Sequence, residues 1–214
     1  MSSDQYTLVY FDMMYRAEPI RLLFAYAAVP FSDKRIADKD WPSVKPTVPF
    51  GKLPVLFVNG KPLPESQAIL RFLARQFGLT GQTAWEAAKC DMLCAGAEDL
   101  YMVVRDYFHE IDSPKAESER DKAAEERMMC DMRDHHVRPF LERYEAFLNK
   151  NGTGFFVGSQ VTWTDLNLFH TFSVYVPLFC DLNDYPALAE FSTKIAAFDR
   201  IKSWIEQRPK HWWL

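Results

Sequence analysis

The chain has 214 residues, of which 48% are hydrophobic and 25% charged, a composition typical of a globular protein and not of a disordered or collagen-like one. Its formal net charge is −4 and its Lys and Arg residues are not clustered, which argues against nucleic acid as a partner. The apolar runs are well short of the roughly 20 residues that a membrane span needs, so no membrane partner is expected.

The chain begins with patterns of a strand, a helix and a second strand. Residues Tyr6 to Phe11 alternate and are rich in β-forming residues, which predicts a strand. Apolar residues at helical spacing from Arg16 to Ala28 predict a helix, and a short polar strand is expected around Lys34 to Ile36. Two strands joined by a helix form a βαβ unit, so these two strands should be parallel.

A hairpin and a second helix are expected next. The apolar run Leu53 to Val58 ends at Asn59-Gly60, and this pair between apolar runs is a strong signal for a two-residue hairpin turn. Ser66 then begins a helix with one apolar face, and Gly78 is suited to end it. The N-terminal region is therefore predicted to be βαβ followed by ββα, with an antiparallel hairpin at the edge of the sheet.

The rest of the chain is predicted to be all-helical. From Thr83 onward strand patterns disappear and helical periodicity dominates. We place the boundary between a first domain of residues 1–80 and a helical domain of residues 83–214. Within the second domain, Thr162 to Asp165 fits the capping box, in which a hydroxyl and a carboxylate satisfy the free backbone donors of a helix start. Asp165 is therefore assigned to stability and not to chemistry.

The cysteines indicate a reducing compartment. They are scattered over predicted helices, without the spacing of a secreted disulfide scaffold or of a metal site, at Cys90, Cys94, Cys130 and Cys180. The first ten residues also lack the order of a secretory signal. The sequence thus predicts a cytoplasmic protein with free thiols and no metal.

Several short motifs resemble those of the sigma-class cytosolic glutathione transferases. They are Y-F-x-x-x-x-R-A-E from Tyr10, D-W-P-x-x-K from Asp40, P-F-G-K-L-P from Pro49 and the acidic pair Glu98-Asp99. The likeness extends over essentially the whole chain and points to invertebrate, nematode-like members of the class. It implies a thioredoxin-like N-terminal domain, a C-terminal helical bundle and a homodimer.

The resemblance also implies an activity, which is the conjugation of reduced glutathione to hydrophobic electrophiles. Glutathione is then a co-substrate, and no separate cofactor is expected. Two alternatives within the same family are a glutathione-dependent prostaglandin isomerase and a carrier of haem or other hydrophobic ligands. The vertebrate prostaglandin D synthases place a Trp soon after the acidic pair, and none occurs between Asp99 and Ile111, which favours the transferase interpretation.

Tyr10 is the candidate activator of the glutathione thiol. A cysteine thiol titrates near ~8.5, so a hydrogen bond from a hydroxyl is needed to favour the nucleophilic thiolate at neutral pH. Tyr6 would share a face with Tyr10 but lie at the wrong end of the strand, whereas Tyr15 is nearer. The resemblance favours Tyr10 over both. Arg16 would add positive potential beside the sulfur, or would pair with Glu18 as an ordinary helix-surface residue.

The resemblance further implies a set of glutathione-binding residues. Ser66, at a helix N-terminus, offers its hydroxyl and free amides to the γ-glutamyl carboxylate, and a simple N-cap is its alternative role. A cis Pro54 would turn the backbone of Leu53 toward the cysteinyl backbone of glutathione. Glu65 stands where the family usually has Gln, and a carboxylate can pair with the γ-glutamyl ammonium but cannot donate as an amide can. The other implied binders are Trp41, Lys45, Lys52 and, from the partner subunit, Asp99.

An apolar pocket for the electrophile is expected beside the thiol. Aromatic and Met side chains provide adaptable surface for such a pocket, although at helical spacing they also pack in cores. The candidates are Phe11, Met14, Met102 and Leu214.

Overall fold

The computed structural model describes residues 4–111 and 121–209, which form two compact units. The sheet unit comprises the described residues of Met1–Thr80 and Ala196–Leu214, and the helical unit comprises those of Gly81–Ile195. The last helix thus belongs by its contacts to the sheet unit, although the sequence analysis assigns it to the helical domain. Among the contacts that join it to this unit are two hydrogen bonds that Trp204 and Arg208 donate to Glu18.

The sheet unit is built on four strands in the order β2-β1-β3-β4. Their bounds are β1 Tyr6–Phe11, β2 Ser32–Ile36, β3 Val55–Val58 and β4 Lys61–Pro64. Strand β1 is parallel to β2 and antiparallel to β3, and β3 is antiparallel to β4. The predicted βαβ unit and the predicted hairpin are both confirmed. Asn59 and Gly60 have φ angles of 50° and 80°, as a two-residue hairpin turn with both central φ angles positive requires.

The helices cover most of the remaining described residues. In chain order they are α1 Glu18–Ala27, α2 Trp41–Val44, α3 Ser66–Phe77, α4 Ala84–Ile111, α5 Lys122–Asp131, α6 Arg138–Asn151, α7 Trp163–His170, α8 Pro186–Ala196 and α9 Asp199–Gln207. The predicted helix from Ser66 is confirmed, and it ends where Gly78 adopts a left-handed conformation with φ 71°. Glycine accepts this φ without the steric cost that a side chain would add.

The described part of the helical unit contains helices and no strand, as predicted. Its core is aromatic, with Trp163, Tyr144, Phe172 and Phe191 among its fully buried side chains. The Tyr144 hydroxyl lies so close to Gly96 of α4 that a Cβ there would come within 2.7 Å of its oxygen. In the part of the chain that the structure covers, no helix combines the length and the apolarity that crossing a membrane requires.

The capping box at the start of α7 is present as predicted. Asp165 Oδ2 accepts from the backbone N–H of Thr162 at 2.7 Å and from its hydroxyl at 2.8 Å, and Oδ1 accepts from the backbone N–H of Phe156 at 2.9 Å. Burial raises the pKa of Asp165 to about 6, so the carboxylate that accepts these bonds is ionised at neutral pH. The carboxylate of Asp165 therefore stabilises both the start of α7 and the loop before it.

Replacing Asp165 by Ala is expected to lower the free energy of unfolding by about 2–4 kcal/mol, because three buried donors lose a charged acceptor. The control is Asp121→Ala, which removes the exposed N-cap of α5, where the carboxylate accepts from the backbone N–H of Ala124 at 3.0 Å. Its expected cost is about 1 kcal/mol or less. Urea denaturation at one fixed protein concentration measures both, and equal losses would contradict the role of burial.

Candidate active site

Tyr10 lies near the end of β1 and is 4% exposed. Burial raises the pKa of Tyr10 to about 12, although a hydrogen bond from the backbone N–H of Arg16 and the charges of Arg16 and Arg21 act in the opposite direction. The phenol is therefore protonated at neutral pH and can donate a hydrogen bond to an anion. The hydroxyl of Tyr6, at the other end of the strand, donates a hydrogen bond to Asp4 Oδ2 at an oxygen–oxygen distance of 3.3 Å.

The chain turns tightly between Tyr10 and α1. After Phe11 it passes through residues 12–14, which we call the active-site loop, into a 3₁₀ turn over Tyr15–Ala17. The carbonyl of Met14 accepts the backbone N–H of Ala17 at 3.1 Å and that of Glu18 at 2.9 Å. This turn presents the backbone N–H of Arg16 to the phenolic oxygen of Tyr10.

Arg16 also reaches the start of α3. Its Nη1 donates to the hydroxyl of Ser66 at 3.5 Å, and Ser66 is only 6% exposed. The first N–H groups of a helix have no partner within the helix, so the start of α3 favours an anion. Glu65, just before it, is exposed and has a positive φ of 72°. Arg16 thus contacts both other residues, Tyr10 through its backbone N–H and Ser66 through its guanidinium.

A row of three aromatic rings extends from Tyr10 through Phe11 to Trp41. The ring centroids of Tyr10 and Phe11 are 5.7 Å apart, and those of Phe11 and Trp41 are 5.2 Å apart, both in edge-to-face arrangements. Such arrangements suit the charge distribution of aromatic rings. Trp41 is thereby connected to the tyrosine.

The predicted basic residues lie on the irregular segment before β3. Lys45 and Lys52 are exposed, and the aliphatic stem of Lys45 runs beside Gly51, where a Cβ would lie 3.5 Å from Lys45 Cγ and Cε. The Leu53–Pro54 peptide bond is cis. Pro54 is buried and immediately precedes β3, whereas Leu53 is half-buried.

The remaining predicted site residues are Met14, Asp99, Met102 and Leu214. Met14 is half-buried in the active-site loop of the sheet unit. In the helical unit, Asp99 is exposed on α4 and Met102 is half-buried on the same helix. Leu214 lies outside the described residues.

The sequence analysis missed a buried group of charges beside the site. Glu18, considered there as a helix-surface partner of Arg16, is 0% exposed and lies with Arg21, which is also 0% exposed. The available signal was an acid and a base three residues apart within the apolar sequence of α1. A position of this kind in a buried helix requires paired charges.

Comparison with known proteins identifies the family. The model of the glutathione S-transferase N-terminal domain matches residues 6–75, and that of the C-terminal domain matches residues 105–208. The chain is 38% identical to glutathione S-transferase 1 of Ascaris suum over 96% of this chain and 98% of that protein. The chain belongs to the glutathione S-transferase family. It is 36% identical to the hematopoietic prostaglandin D synthase of Gallus gallus over 96% of this chain and 97% of that protein.

Solved structures agree with this assignment. A crystal structure of a nematode-specific glutathione transferase from C. elegans has a TM-score of 0.87 and 36% identity, covering 97% of this chain and 98% of that one. The monomeric Na-GST-3 of the hookworm Necator americanus has a TM-score of 0.86 and 31% identity, covering 96% and 98%. The predicted fold, a thioredoxin-like domain followed by a helical domain, is confirmed, and the protein is a glutathione transferase enzyme.

Proposed function

We propose that this enzyme conjugates reduced glutathione to hydrophobic electrophiles and that Tyr10 stabilises the glutathione thiolate. Family membership supports the use of glutathione. The observation that carries the role of Tyr10 is its buried, protonated phenol at the end of β1, next to the start of α1. A preorganised donor in a site of low dielectric stabilises a developing anion more than water-exposed donors do.

The glutathione thiolate is the nucleophile of the reaction. The thiol proton leaves to solvent, and the thiolate sulfur attacks the electrophilic carbon and forms a thioether bond. Where the electrophile carries a leaving group, that group departs with the bonding electron pair. Tyr10 donates its hydroxyl proton as a hydrogen bond without transferring it, and the guanidinium of Arg16 adds positive potential beside the sulfur.

The rest of glutathione would be held by the sheet unit. The start of α3 and the hydroxyl of Ser66 suit the γ-glutamyl carboxylate, and the exposed Glu65 suits the γ-glutamyl ammonium. The backbone of Leu53, which precedes β3, would pair with the cysteinyl backbone of glutathione in the manner of an added strand. The residues assigned to the glycyl carboxylate are Trp41, Lys45 and Lys52.

The electrophile would contact the apolar surface near the sulfur. Phe11 and Met14 are half-buried, one and four residues after Tyr10, and the ring of Phe11 lies against that of Tyr10. A pocket of aromatic and thioether side chains selects by size and hydrophobicity and adapts to ligands of different shape.

Replacing Tyr10 by Phe is expected to lower kcat by about 10²-fold, because one donor to a developing anion is lost. A hydrogen bond to a charged group contributes about 1.5–3 kcal/mol, so the alkaline rise of the rate should move up by about one to two pH units. Steady-state conjugation of glutathione to 1-chloro-2,4-dinitrobenzene between neutral and alkaline pH measures both changes. The KM for glutathione should stay similar.

The control for this experiment is Tyr6→Phe, which removes a hydroxyl from the opposite end of β1 and should leave the pH profile unchanged. A large rise in KM with normal kcat in the Tyr10→Phe variant would contradict the proposal. If the wild-type enzyme is retained on immobilised glutathione but catalyses no conjugation, a carrier of haem or hydrophobic ligands, or a specialised isomerase, becomes the better interpretation.

We further propose that the enzyme is a sigma-class homodimer in the cytoplasm. The motifs that begin at Tyr10 and Asp40 support the class, and the four cysteines, none in a disulfide, support the reducing compartment. Asp99 is exposed on α4, which leaves it accessible to the glutathione site of a partner subunit. A two-fold dimer would give each of its two sites one such contribution.

Mixed dimers test the cross-subunit role of Asp99. In a dimer of one Tyr10→Phe chain and one Asp99→Ala chain, the Asp99→Ala chain keeps its own Tyr10 and receives the intact Asp99 of its partner. We therefore expect about half the wild-type kcat at wild-type KM for glutathione, because one of two symmetric sites is complete. The mixed dimer is prepared by subunit exchange between differently tagged chains and purified by both tags. Its kcat and its KM for glutathione are then measured.

No recovery above the two parent variants would show that Asp99 acts within its own chain. Light scattering on the wild-type enzyme accompanies the kinetics. A stable monomer with full activity would overturn the homodimer proposal; the hookworm Na-GST-3 is described as monomeric.

Glutathione-dependent prostaglandin isomerisation is the second candidate function. The identity to the Gallus gallus prostaglandin D synthase favours it, whereas the lack of a Trp between Asp99 and Ile111 opposes it. Product analysis with a prostaglandin endoperoxide and glutathione separates the two functions. Isomerisation that exceeds conjugation in kcat/KM would make the isomerase the main activity.

A further inference from the structure

The carboxylate of Glu18 is wholly buried at the first residue of α1. Its Oε1 accepts a hydrogen bond from Trp204 Nε1 at 2.8 Å and another from Arg208 Nη1 at 2.7 Å. Its Oε2 lies 3.5 Å from Nη1 of Arg21. A buried carboxyl group requires such partners, because a buried polar group without hydrogen bonds destabilises the fold. Two of these donors come from α9 and the residue after it.

Arg21 carries the connection from Glu18 to the active-site loop. This guanidinium is also wholly buried, and its Nη1 donates to the backbone carbonyl of Met13 at 2.8 Å. Its Nε donates to both carboxylate oxygens of Asp33 on β2, at 3.1 and 3.2 Å. The path from α9 to the loop therefore has three steps, each at hydrogen-bond or ion-pair distance.

A second contact holds the same loop from β2. Arg35 Nη2 donates to Asp33 at 2.6 Å, and its Nη1 donates to Asp12 at 2.9 Å. The loop is thus held through a carbonyl at Met13 and a side chain at Asp12. The network contains three carboxylates and three guanidiniums in alternation along the chain of contacts, so their charges compensate each other. Its members are Arg208, Glu18, Arg21, Asp33, Arg35 and Asp12.

The loop decides the geometry of the thiolate site. It is part of the covalent connection between Tyr10 and Arg16, and the carbonyl of its last residue, Met14, accepts the backbone N–H groups of Ala17 and Glu18. The position of the Arg16 backbone N–H against the phenolic oxygen depends on this turn. A displacement of about 1 Å in a catalytic geometry can reduce a rate by about 10²-fold.

We propose that Trp204 and Arg208 are positioning residues for the thiolate site, acting through Glu18 and Arg21 to hold the active-site loop. The proposal rests on the proposed role of Tyr10. Neither residue need touch glutathione or the electrophile for this effect. The predicted consequence is that the C-terminal end of α9 sets the reactivity of the sulfur.

The chain offers a matched control on the same helix. Arg200, also on α9, donates from Nη1 to the backbone carbonyl of Tyr26 at 3.1 Å, near the other end of α1. Arg200→Met and Arg208→Met therefore each remove one guanidinium that joins α9 to α1. Only Arg208→Met removes a donor from Glu18.

The experiment compares the full-length wild-type enzyme with Arg208→Met, Arg208→Lys, Trp204→Phe and Arg200→Met. Hydrogen–deuterium exchange is measured on the peptide covering residues 12–17, together with Tm and the pH profile of kcat/KM for conjugation. In Arg208→Met and Trp204→Phe we expect faster loop exchange, about 3- to 10-fold lower kcat/KM at neutral pH, and an alkaline limb moved up by about half to one pH unit. Arg208→Lys should restore most of the wild-type profile.

Arg200→Met should lower Tm as Arg208→Met does, but keep the loop exchange and the pH limb of the wild type. The proposal is overturned if hydrogen–deuterium exchange of the active-site loop is unchanged in Arg208→Met and Trp204→Phe. It is also overturned if Arg200→Met changes the loop exchange and the pH profile as much as they do, since that would indicate a general loss of stability. Tyr10→Phe is measured in parallel. If Tyr10→Phe does not move the alkaline rise of kcat/KM, Tyr10 does not stabilise the thiolate. The exchange of the active-site loop then decides by itself whether α9 holds the loop.

Discussion

The sheet unit depends on the burial of one carboxyl group together with its hydrogen-bond donors. Glu18 stands at the first residue of α1, where the positive end of the helix favours an acid, yet it has no access to water. Without partners its burial would cost more than most single interactions in a protein contribute. The donors of Trp204, Arg208 and Arg21 offset that cost, and the first two join α1 to positions 186 and 190 residues further along the chain. Part of the packing of α9 against α1 therefore meets this requirement, and Arg21 connects the same carboxylate to the active-site loop.

The candidate site uses the ends of secondary structure elements and leaves their interiors to packing. Tyr10 is near the end of a strand, Arg16 is in the turn before α1, and Ser66 begins α3. Helix starts carry unpaired N–H groups and positive potential, which suit a peptide with carboxylates and a sulfur anion. The apolar parts of the same elements form the core, so the site can be polar without weakening the fold. This division also explains why the buried Tyr10 retains its proton while its oxygen lies close to positive groups.

The sequence predicted those features that are encoded locally. Asn59-Gly60 at the hairpin, Gly78 at the end of α3 and the capping box at Asp165 each act within a few residues, so their patterns were sufficient. The site residues came from motif resemblance, and the structure brings Tyr10, Arg16 and Ser66 together. The contact between Glu18 and Arg208 joins positions 190 apart in the chain, and no periodicity or spacing records such a pair. The same limit applies to the last helix, whose amphipathic pattern shows that it packs but not on which unit.

The place of α9 in the chain bears on how the protein is synthesised. A ribosome releases the strands and α1 to α3 first, but the donors of Trp204 and Arg208 follow only after the whole helical unit has been made. Until then the N-terminal segment either leaves Glu18 in water or buries it with Arg21 alone among these donors. The nascent sheet is therefore incomplete as a folding unit, and the active-site loop acquires its final support only after α9 has been made.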